Sequence, residues 1–497
     1  MKKKVIIPHR GVIALDIIDS LKGIGLETIL LYSPEDSQSL PVKLADKSFK
    51  FYSSRLEDSY NDMEAIIDKA LELKADYIHP GYGFQSENPE FDHLCAANNI
   101  KLIGPGASVL ETVQDKIRLR KIADKLGIRV LPYSQLIKTP GDFESASISH
   151  DNRYPMLVKP LKGSGGRGIK VVEFKKDAQD RAAKMLKRED NRKQGLFLEE
   201  FFPFGRHIEI PFIRDIEGNI LFPPEIESSL QRRFQKIFQE SPSVNISENL
   251  RKSLYQNTQK LIEAIDYIGL GCVEFIVDND TAYFSEINPS IQINTLIPEI
   301  HLVSNFIKKQ FAVFNGELLH RVDGVKIVKP SHHVLLVSLM AENPFDHFQP
   351  SSGTVTEFYS YSTIRNIFKT YLYTGARVSP LYDPYIGKIV TFSSRRDHSI
   401  GAMRNFLSNI TIKGIKTNLA FIRYILQDES LARGETIIDF LNLKCDFSRR
   451  KKREADISIA AALFAAAFHV ENRNKNYKAK LETMKQPGFF KRLFNRM

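Results

Sequence analysis

Two groups of residues in this chain have the types and spacing for chemistry on a phosphorylated nucleotide. The first is Gly163-Ser164-Gly165-Gly166-Arg167-Gly168, the most glycine-dense stretch of the chain, with Lys159 four residues ahead of it. It lies between two short apolar runs, Met156–Lys159 and Ile169–Val172, which predict a strand on each side. A glycine turn between strands lets backbone amides close over phosphate oxygens, and Lys159 adds a point charge. Taken alone, such a hairpin is more commonly a solvent loop. The second group changes that balance. Glu274 sits in Cys272-Val273-Glu274-Phe275-Ile276 and Glu286 in Tyr283-Phe284-Ser285-Glu286-Ile287-Asn288, on either side of Asp278-Asn279-Asp280. Antiparallel strands joined by that turn place both carboxylates on one face, where buried negative charge needs a cation. Magnesium (or manganese) bridging ATP phosphates is the natural occupant, with Asn288 adding an oxygen. Two solvent-facing acids are disfavoured by the apolar neighbours.

The elements that position these residues are legible from periodicity. Val5–Pro8 and Thr28–Tyr32 read as strands around a helix with apolar spacing at Val12–Leu21. Asn61–Lys74 reads as a helix, and Tyr77-Ile78-His79 and Lys101-Leu102-Ile103 as further strand ends. Strands separated by helices of this length predict an α/β fold with a doubly wound parallel sheet. Gly11 is the only glycine at the first turn, so the dinucleotide fingerprint GxGxxG is absent. A polar stretch at 140–152 precedes the glycine hairpin; a charged helix, Asp177–Arg188, and a strand, Leu196–Glu199, follow it. From Arg206 to about Cys445 strands and helices are expected to alternate again.

A series of motifs then makes a specific resemblance. Arg10-Gly11, His79-Pro80-Gly81-Tyr82-Gly83-Phe84 with Ser86-Glu87-Asn88, Gly163–Gly168, Arg206-His207-Ile208-Glu209 and Gln231-Arg232-Arg233 come first. Tyr382-Asp383 with Ile386-Gly387-Lys388, and Gly414-Ile415-Lys416-Thr417-Asn418, complete it. Over about residues 1–443 the chain resembles the biotin carboxylases in motif order. The resemblance implies an N-terminal Rossmann-like domain over 1–113 and an ATP-grasp domain over 114–330, with a lid at about 131–203. It further implies a C-terminal biotin carboxylase domain over 331–443 and leaves a basic tail at 444–497. The family makes carboxyphosphate from bicarbonate and ATP, then carboxylates biotin on a carrier domain.

Position by position, the resemblance implies an intact nucleotide site. Lys116 and Lys159 match phosphate- and adenine-side lysines, with Gly163, Ser164, Gly165 and Gly166 as the phosphate loop. Glu199, Glu200 and Phe202 fall in the hinge that reads adenine, Glu200 replacing a lysine. His207 and Gln231 match pocket residues; Glu274, Glu286 and Asn288 match the magnesium side. Lys236 matches a lysine facing the transferred phosphate and bicarbonate, while Phe234 replaces a histidine. The acceptor half departs further. Ser290 replaces an arginine that grips bicarbonate, and a serine offers no bidentate cation. Asn294 replaces the glutamate that acts as general base, a loss that typically costs about 10²–10⁴ in rate. Ser338 replaces an arginine that stabilises the biotin enolate, a further ~10²–10³ by analogy with oxyanion holes. Gln292 and Ile293 are retained. Asp16 and Asp19 replace basic residues near the family's dimer surface.

Composition bounds the rest. A chain of 497 residues exceeds one average core, and 42% hydrophobic with 26% charged residues suits a globular enzyme-like protein. No run reaches the roughly 18–20 apolar residues of a membrane span, and the N-terminal apolar run is too short for a signal peptide. Three scattered cysteines, Cys95, Cys272 and Cys445, imply a reducing, cytoplasmic setting without a disulfide framework. The twelve histidines show no HxxxH or HExxH spacing, so transition-metal catalysis has no support. Of the net +11, the segment Lys444–Met497 carries +9, from 14 Lys/Arg and 5 Asp/Glu. The body is near neutral, which argues against nucleic acid as its partner. In the tail, Ile457–Val470 reads as an apolar helix that docks on the body or on a partner, with membrane contact the weaker reading. Met484-Lys485 resembles a biotinylated pair but lacks the strands to present it.

Three functional readings follow. The first is an MgATP-binding, catalytically impaired subunit that regulates or scaffolds a carboxylase assembly. The second is an active biotin carboxylase acting on a separate carrier, and the third an ATP-grasp ligase with another acceptor. With no carrier or carboxyltransferase domain in the chain, biotin enters only as a substrate carried by a partner. The expected partners are biotin carrier and carboxyltransferase subunits or an active biotin carboxylase, in a homo- or hetero-oligomer.

Overall fold

The chain opens on β1 (Lys4–Ile7), whose residues are apolar on both sides. Side chains alternate across a strand, so Val5 and Ile7 join one core cluster while Ile6 joins another on the opposite face. A strand buried on both faces belongs in a parallel sheet covered by helices. That sheet is completed by β2 (Glu27–Tyr32), β3 (Lys47–Lys50), β4 (Tyr77–Ile78) and β5 (Lys101–Leu102), in the order β3-β2-β1-β4-β5. All its pairings are parallel, as predicted. Helix α1 (Gly11–Lys22) packs Ala14, Ile17, Ile18 and Leu21 against Val5 and Ile7.

This computed structural model describes residues 2–143, 154–163, 166, 168–320, 322–361, 363 and 365–444. Ser164, Gly165, Arg167, Cys445 and the tail readings beyond it lie outside the described residues. One compact unit takes in the chain to Pro344 together with Phe348–Leu443. Among the described residues, no helix is long and apolar enough to cross a membrane.

A three-stranded antiparallel sheet follows, β6 (Met156–Pro160), β7 (Lys170–Val172) and β8 (Leu196–Glu200), in the order β7-β6-β8. The glycine run therefore joins two paired strands, as predicted. Ala178 and Ala182 of the helix Lys175–Met185 pack on Val158 and Leu198 to close a small separate core.

The segment expected to alternate strands and helices has helices between its strands, Glu248–Ala264, Phe306–Phe314 and Arg396–Ser408 among them, and most of its strands join one largely antiparallel sheet. Its strands are β9 (Arg206–Arg214), β10 (Ile220–Phe222), β11 (Ile226–Arg232), β12 (Gln235–Ser241), β13 (Gly269–Asp278), β14 (Thr281–Asn288), β15 (Val325–Ile327) and β16 (His333–Met340). The main order is β14-β13-β9-β11-β12-β16, continued by the strands Tyr385–Ser393 and Asn366–Thr370, with β10 and β15 branching from β9. Short turns such as Asp278-Asn279-Asp280, with Asn279 and Asp280 at positive φ, return the chain as hairpins rather than helical crossovers. The pairing Phe238↔Val337 carries the sheet without a break from β12 into β16.

Candidate functional site

The register of three neighbouring strands lines up three carboxylates. Glu274 on β13 is directly opposite Glu286 on β14 and Glu209 on β9. The prediction that Glu274 and Glu286 share a face is thus met, and Glu209 extends the row. Their surroundings differ. Glu209 and Glu274 are buried, at 0% and 4% exposure, whereas the Glu286 side chain is 30% exposed, so the expectation that both sit buried among apolar neighbours holds for Glu274 alone. The charge is balanced by lysines. Lys236 places Nζ 2.6 Å from Glu209 Oε1 and 2.5 Å from Glu274 Oε1, and Lys116 Nζ stands 3.8 Å from Glu286.

Burial alone would raise the pKa of Glu274, but Lys236, and after it His207, hold it far below the ordinary carboxylate range. Burial would likewise lower Lys236, and Glu209 followed by Glu274 lifts it well above a free lysine. His207 Nε2 lies 2.8 Å from Glu274 Oε2, and Gln231 Nε2 lies 2.5 Å from His207 Nδ1. Asn288 Nδ2 donates to Glu274 Oε1 at 2.7 Å. Ligand atoms of His207, Glu209 and Glu274 fall within 4.8 Å of one another, a group that shares Glu274 with the predicted Glu274, Glu286 and Asn288. The oxygen donors of the predicted set suit a hard cation such as magnesium, while Lys236 already occupies the side shared by Glu209 and Glu274.

At the other end of the cavity, Glu199 on β8 accepts from both Arg120 and Lys159. Lys159, expected as a point charge for phosphate oxygens, lines the cavity with its ammonium paired to this fully buried carboxylate. Phe202 packs edge-on against Tyr283, 5.2 Å between centroids, and the Glu200 amide donates to Pro132 O at 2.9 Å. From the glycine run, the Gly163 carbonyl accepts from Lys116 Nζ at 2.6 Å. Gly166 has φ +70°, and a Cβ built on it would lie 2.7 Å from the Phe234 Cβ. Only a residue without a side chain passes Phe234 so closely.

These groups surround a cavity of about 490 Å³, lined among others by Lys159, Gly166, Glu199, His207 and Gln231. Lys236, Glu274, Glu286, Asn288 and Phe202 line it as well, as does Glu200. Lys116 and Gly163 line a smaller adjoining cavity of about 190 Å³ that shares Glu286 and Asn288. Gln292, Asn294 and Ser338 reach the larger cavity; Ser290 lines neither, being 3% exposed with its hydroxyl 3.3 Å from Ile291 O. Asn294 donates Nδ2 to Glu209 Oε2 at 2.9 Å.

Asp16 departs from the expectation that it alters a dimer surface. It is 6% exposed and holds the fully buried Lys388 at 2.5 Å, while Lys388 also donates to Ile293 O at 3.0 Å. Asp19, whose side chain is 54% exposed, pairs with Lys369 at 3.1 Å. Sequence reasoning passed over Glu209 and Tyr385. Glu209 was findable, because His207 and Glu209 are two apart on a strand and must share a face. Nothing near Tyr385 in the sequence marks it.

A twisted antiparallel sheet and a small glycine-hinged sheet around a carboxylate–lysine cavity, beside a parallel α/β domain, define an ATP-grasp architecture of the biotin carboxylase type. Residues 1–110 match the family model "Biotin carboxylase, N-terminal domain" and residues 337–443 "Biotin carboxylase C-terminal domain". Residues 115–322 match "Carbamoyl-phosphate synthase L chain, ATP binding domain". Biotin carboxylase 1 of Bacillus subtilis is 32% identical over 447 residues, covering 89% of this chain and 98% of the relative. The biotin carboxylase of Pseudomonas aeruginosa is 32% identical over 449 residues, covering 89% and 99%. The chain belongs to the biotin carboxylase family. Among solved structures, the biotin carboxylase domain dimer of the Hydrogenobacter thermophilus 2-oxoglutarate carboxylase, in complex with MgADP, ADP and bicarbonate, superposes with a TM-score of 0.84. It is 29% identical and covers 90% of this chain and 99% of that one. The biotin carboxylase–β,γ-ATP complex of Campylobacter jejuni gives a TM-score of 0.82 at 30% identity, covering 89% and 99%.

Proposed function

We propose that this chain binds MgATP and serves a biotin-dependent carboxylase system as a catalytically impaired, biotin-carboxylase-like subunit with a regulatory or scaffolding role. The observation that carries this reading is the acceptor end of the cavity. There Asn294 and Ser338 bring no ionisable side chain, Ser290 lies buried outside the lining, and the Asn294 amide is spent on Glu209. A carboxamide has no basic lone pair at neutral pH, so it cannot take a proton from bicarbonate.

The nucleotide half supports the ATP part of the proposal. Gly163, Gly166 and Lys116 would meet the phosphates, the Glu199–Phe202 hinge with His207 and Gln231 would line the base and sugar, and Glu274, Glu286 and Asn288 would hold the metal. A bound magnesium ion would screen the phosphate charge. Lys236, kept protonated by its two carboxylates, is the cation this chain supplies toward the transferred phosphate. Carrier and carboxyltransferase chains, or an active biotin carboxylase, are the partners in this reading.

The test is bicarbonate-dependent ATP turnover with free biotin as acceptor, run beside a calorimetric MgATP titration. Nucleotide binding is expected, with turnover lower than that of the Bacillus subtilis enzyme by about 10²–10⁴. Turnover equal to that enzyme would overturn the impaired reading in favour of an active carboxylase. Ser290→Arg, Asn294→Glu and Ser338→Arg together should raise carboxylation more than any one of them alone. An inert triple variant that still binds MgATP would place the loss elsewhere.

A further inference from the structure

The loop at the acceptor end of the cavity is braced from behind by a buried cation. It runs over 289–295, between β14 and the helix Leu296–Leu302, and its Gln292, Ile293 and Asn294 line the cavity. Most of its backbone bonds are local: the Thr295 amide donates to Gln292 O at 3.1 Å, and the Ile297 amide to Asn294 O at 2.8 Å. Among the described residues, the one hydrogen bond that its backbone accepts from a distant part of the chain comes from Lys388, 95 residues away, whose Nζ lies 3.0 Å from Ile293 O. The strand that carries Lys388 lines the cavity with Tyr385, whereas the Lys388 side chain is 0% exposed behind that wall.

A buried ammonium is tolerated only beside a carboxylate that also fixes its geometry. Strand register shows why the carboxylate comes from α1. Lys388 is directly opposite Ser338 on β16 and Lys369 on the strand Asn366–Thr370, so the three side chains share one face. Two lysines side by side on a sheet repel. Asp16 answers both, with Oδ2 at 2.5 Å from Lys388 and Oδ1 at 3.3 Å from Lys369. Asp19 takes the outer side of Lys369 at 3.1 Å. Of the two lysines, Lys388 passes the hold onward to Ile293. The next residue carries it across the cavity, because Asn294 donates to Glu209 and Glu209 holds Lys236 at 2.6 Å.

We propose that Asp16 and Lys388 are a positioning pair for this loop: they set where Ile293 and Asn294 stand without themselves meeting a ligand. That the loop forms the acceptor end rests on the function proposed above; its bracing by Lys388 rests on the contacts alone. Hydrogen-exchange mass spectrometry on the full chain tests it, comparing wild type with Asp16→Leu/Lys388→Met. Removing both charges together keeps the packing and leaves no unpaired ion, so the fold persists, but the bond to Ile293 O is gone. Peptides covering 289–297 should exchange roughly tenfold faster, while peptides from β13 and β14 exchange as in wild type. A pair that merely stabilised the fold would move loop and sheet together. Loop exchange equal to wild type, or an equal rise in β13 and β14, would overturn the proposal. Two single variants test it independently of the double one. Asp16→Asn should accelerate the same loop peptides, and Asp16→Glu, which keeps the carboxylate, should return them to within about twofold of wild type; an unchanged loop in Asp16→Asn would overturn the proposal as well. Failure of the wild-type chain to bind MgADP, read in a separate titration, would instead overturn the nucleotide reading and leave the exchange result standing.

Discussion

Replacing Glu199 by glutamine asks whether the adenine end of the cavity is held by charge or by shape. The Glu199 side chain is 0% exposed, Arg120 is 1% and Lys159 8%, so the three groups share one dry site. Glutamine keeps the outline and an acceptor oxygen, but leaves two buried cations without an anion. Each hydrogen bond lost is worth about 0.5–1.5 kcal/mol. Removing one partner of a buried ion pair costs about 3–5 kcal/mol, so the charge effect dominates. At about 2–4 °C per kcal/mol for a domain of 150–250 residues, the melting temperature should fall by roughly 6–20 °C. Differential scanning calorimetry at pH 7 reads this directly. The pH dependence supplies an independent sign. Burial would raise the Glu199 pKa, yet Arg120 and then Lys159 bring it below the ordinary value. A depressed folded-state pKa gives stability that is complete above the unfolded value, about 4.3, and is lost as pH falls through the folded one. The gap between wild type and variant should therefore narrow on acidification below about pH 4. A melting temperature within about 2 °C of wild type at pH 7, or a gap that widens in acid, would refute the reasoning. Exchanging the whole cluster, Arg120→Met with Lys159→Met and Glu199→Leu, should recover most of the loss, because the desolvation penalty leaves together with the attraction.

Two further outcomes follow from geometry. Gly166→Ala forces a side chain at φ +70° into the Phe234 Cβ; at about 1–3 kcal/mol of strain, MgATP affinity by equilibrium dialysis should fall about 5- to 150-fold, and Phe234→Ala should restore part of it. Asp16→Asn leaves the fully buried Lys388 without its carboxylate, and urea unfolding should show a loss of about 3–5 kcal/mol, while Asp16→Glu loses less.

The parallel sheet was legible because β1 and β2 are apolar on both faces and each is followed by helical spacing. The edge strand β3, Lys47-Ser48-Phe49-Lys50, was missed because edge strands are short and charged to avoid pairing with other chains. The glycine hairpin and the Glu274–Glu286 pair were found from local pattern, since a hairpin is a local object. The cations that balance those acids were not assigned to them, because Lys236 reaches Glu274 from β12 and Lys116 reaches Glu286 from a helix some 170 residues upstream. Asp16 misled for the same reason. The family resemblance put it near a dimer surface, and its partner Lys388 lies 372 residues away. Tyr385 enters the cavity through strand register alone, which a single sequence does not encode locally.

The uninterrupted pairing of β12 with β16 also governs how this protein can be dissected. The family models end and restart between residues 322 and 337, a natural place to cut an expression fragment. Every residue of β16 is buried, and its neighbour β12 is buried along Ile237–Ser241. A cut there would turn two interior strands into open edges, one presenting Val334-Leu335-Leu336-Val337 to solvent. Such edges recruit strands from other molecules. Fragments divided at that seam should therefore precipitate or dimerise edge to edge when expressed alone, and regain solubility when the two halves are co-expressed.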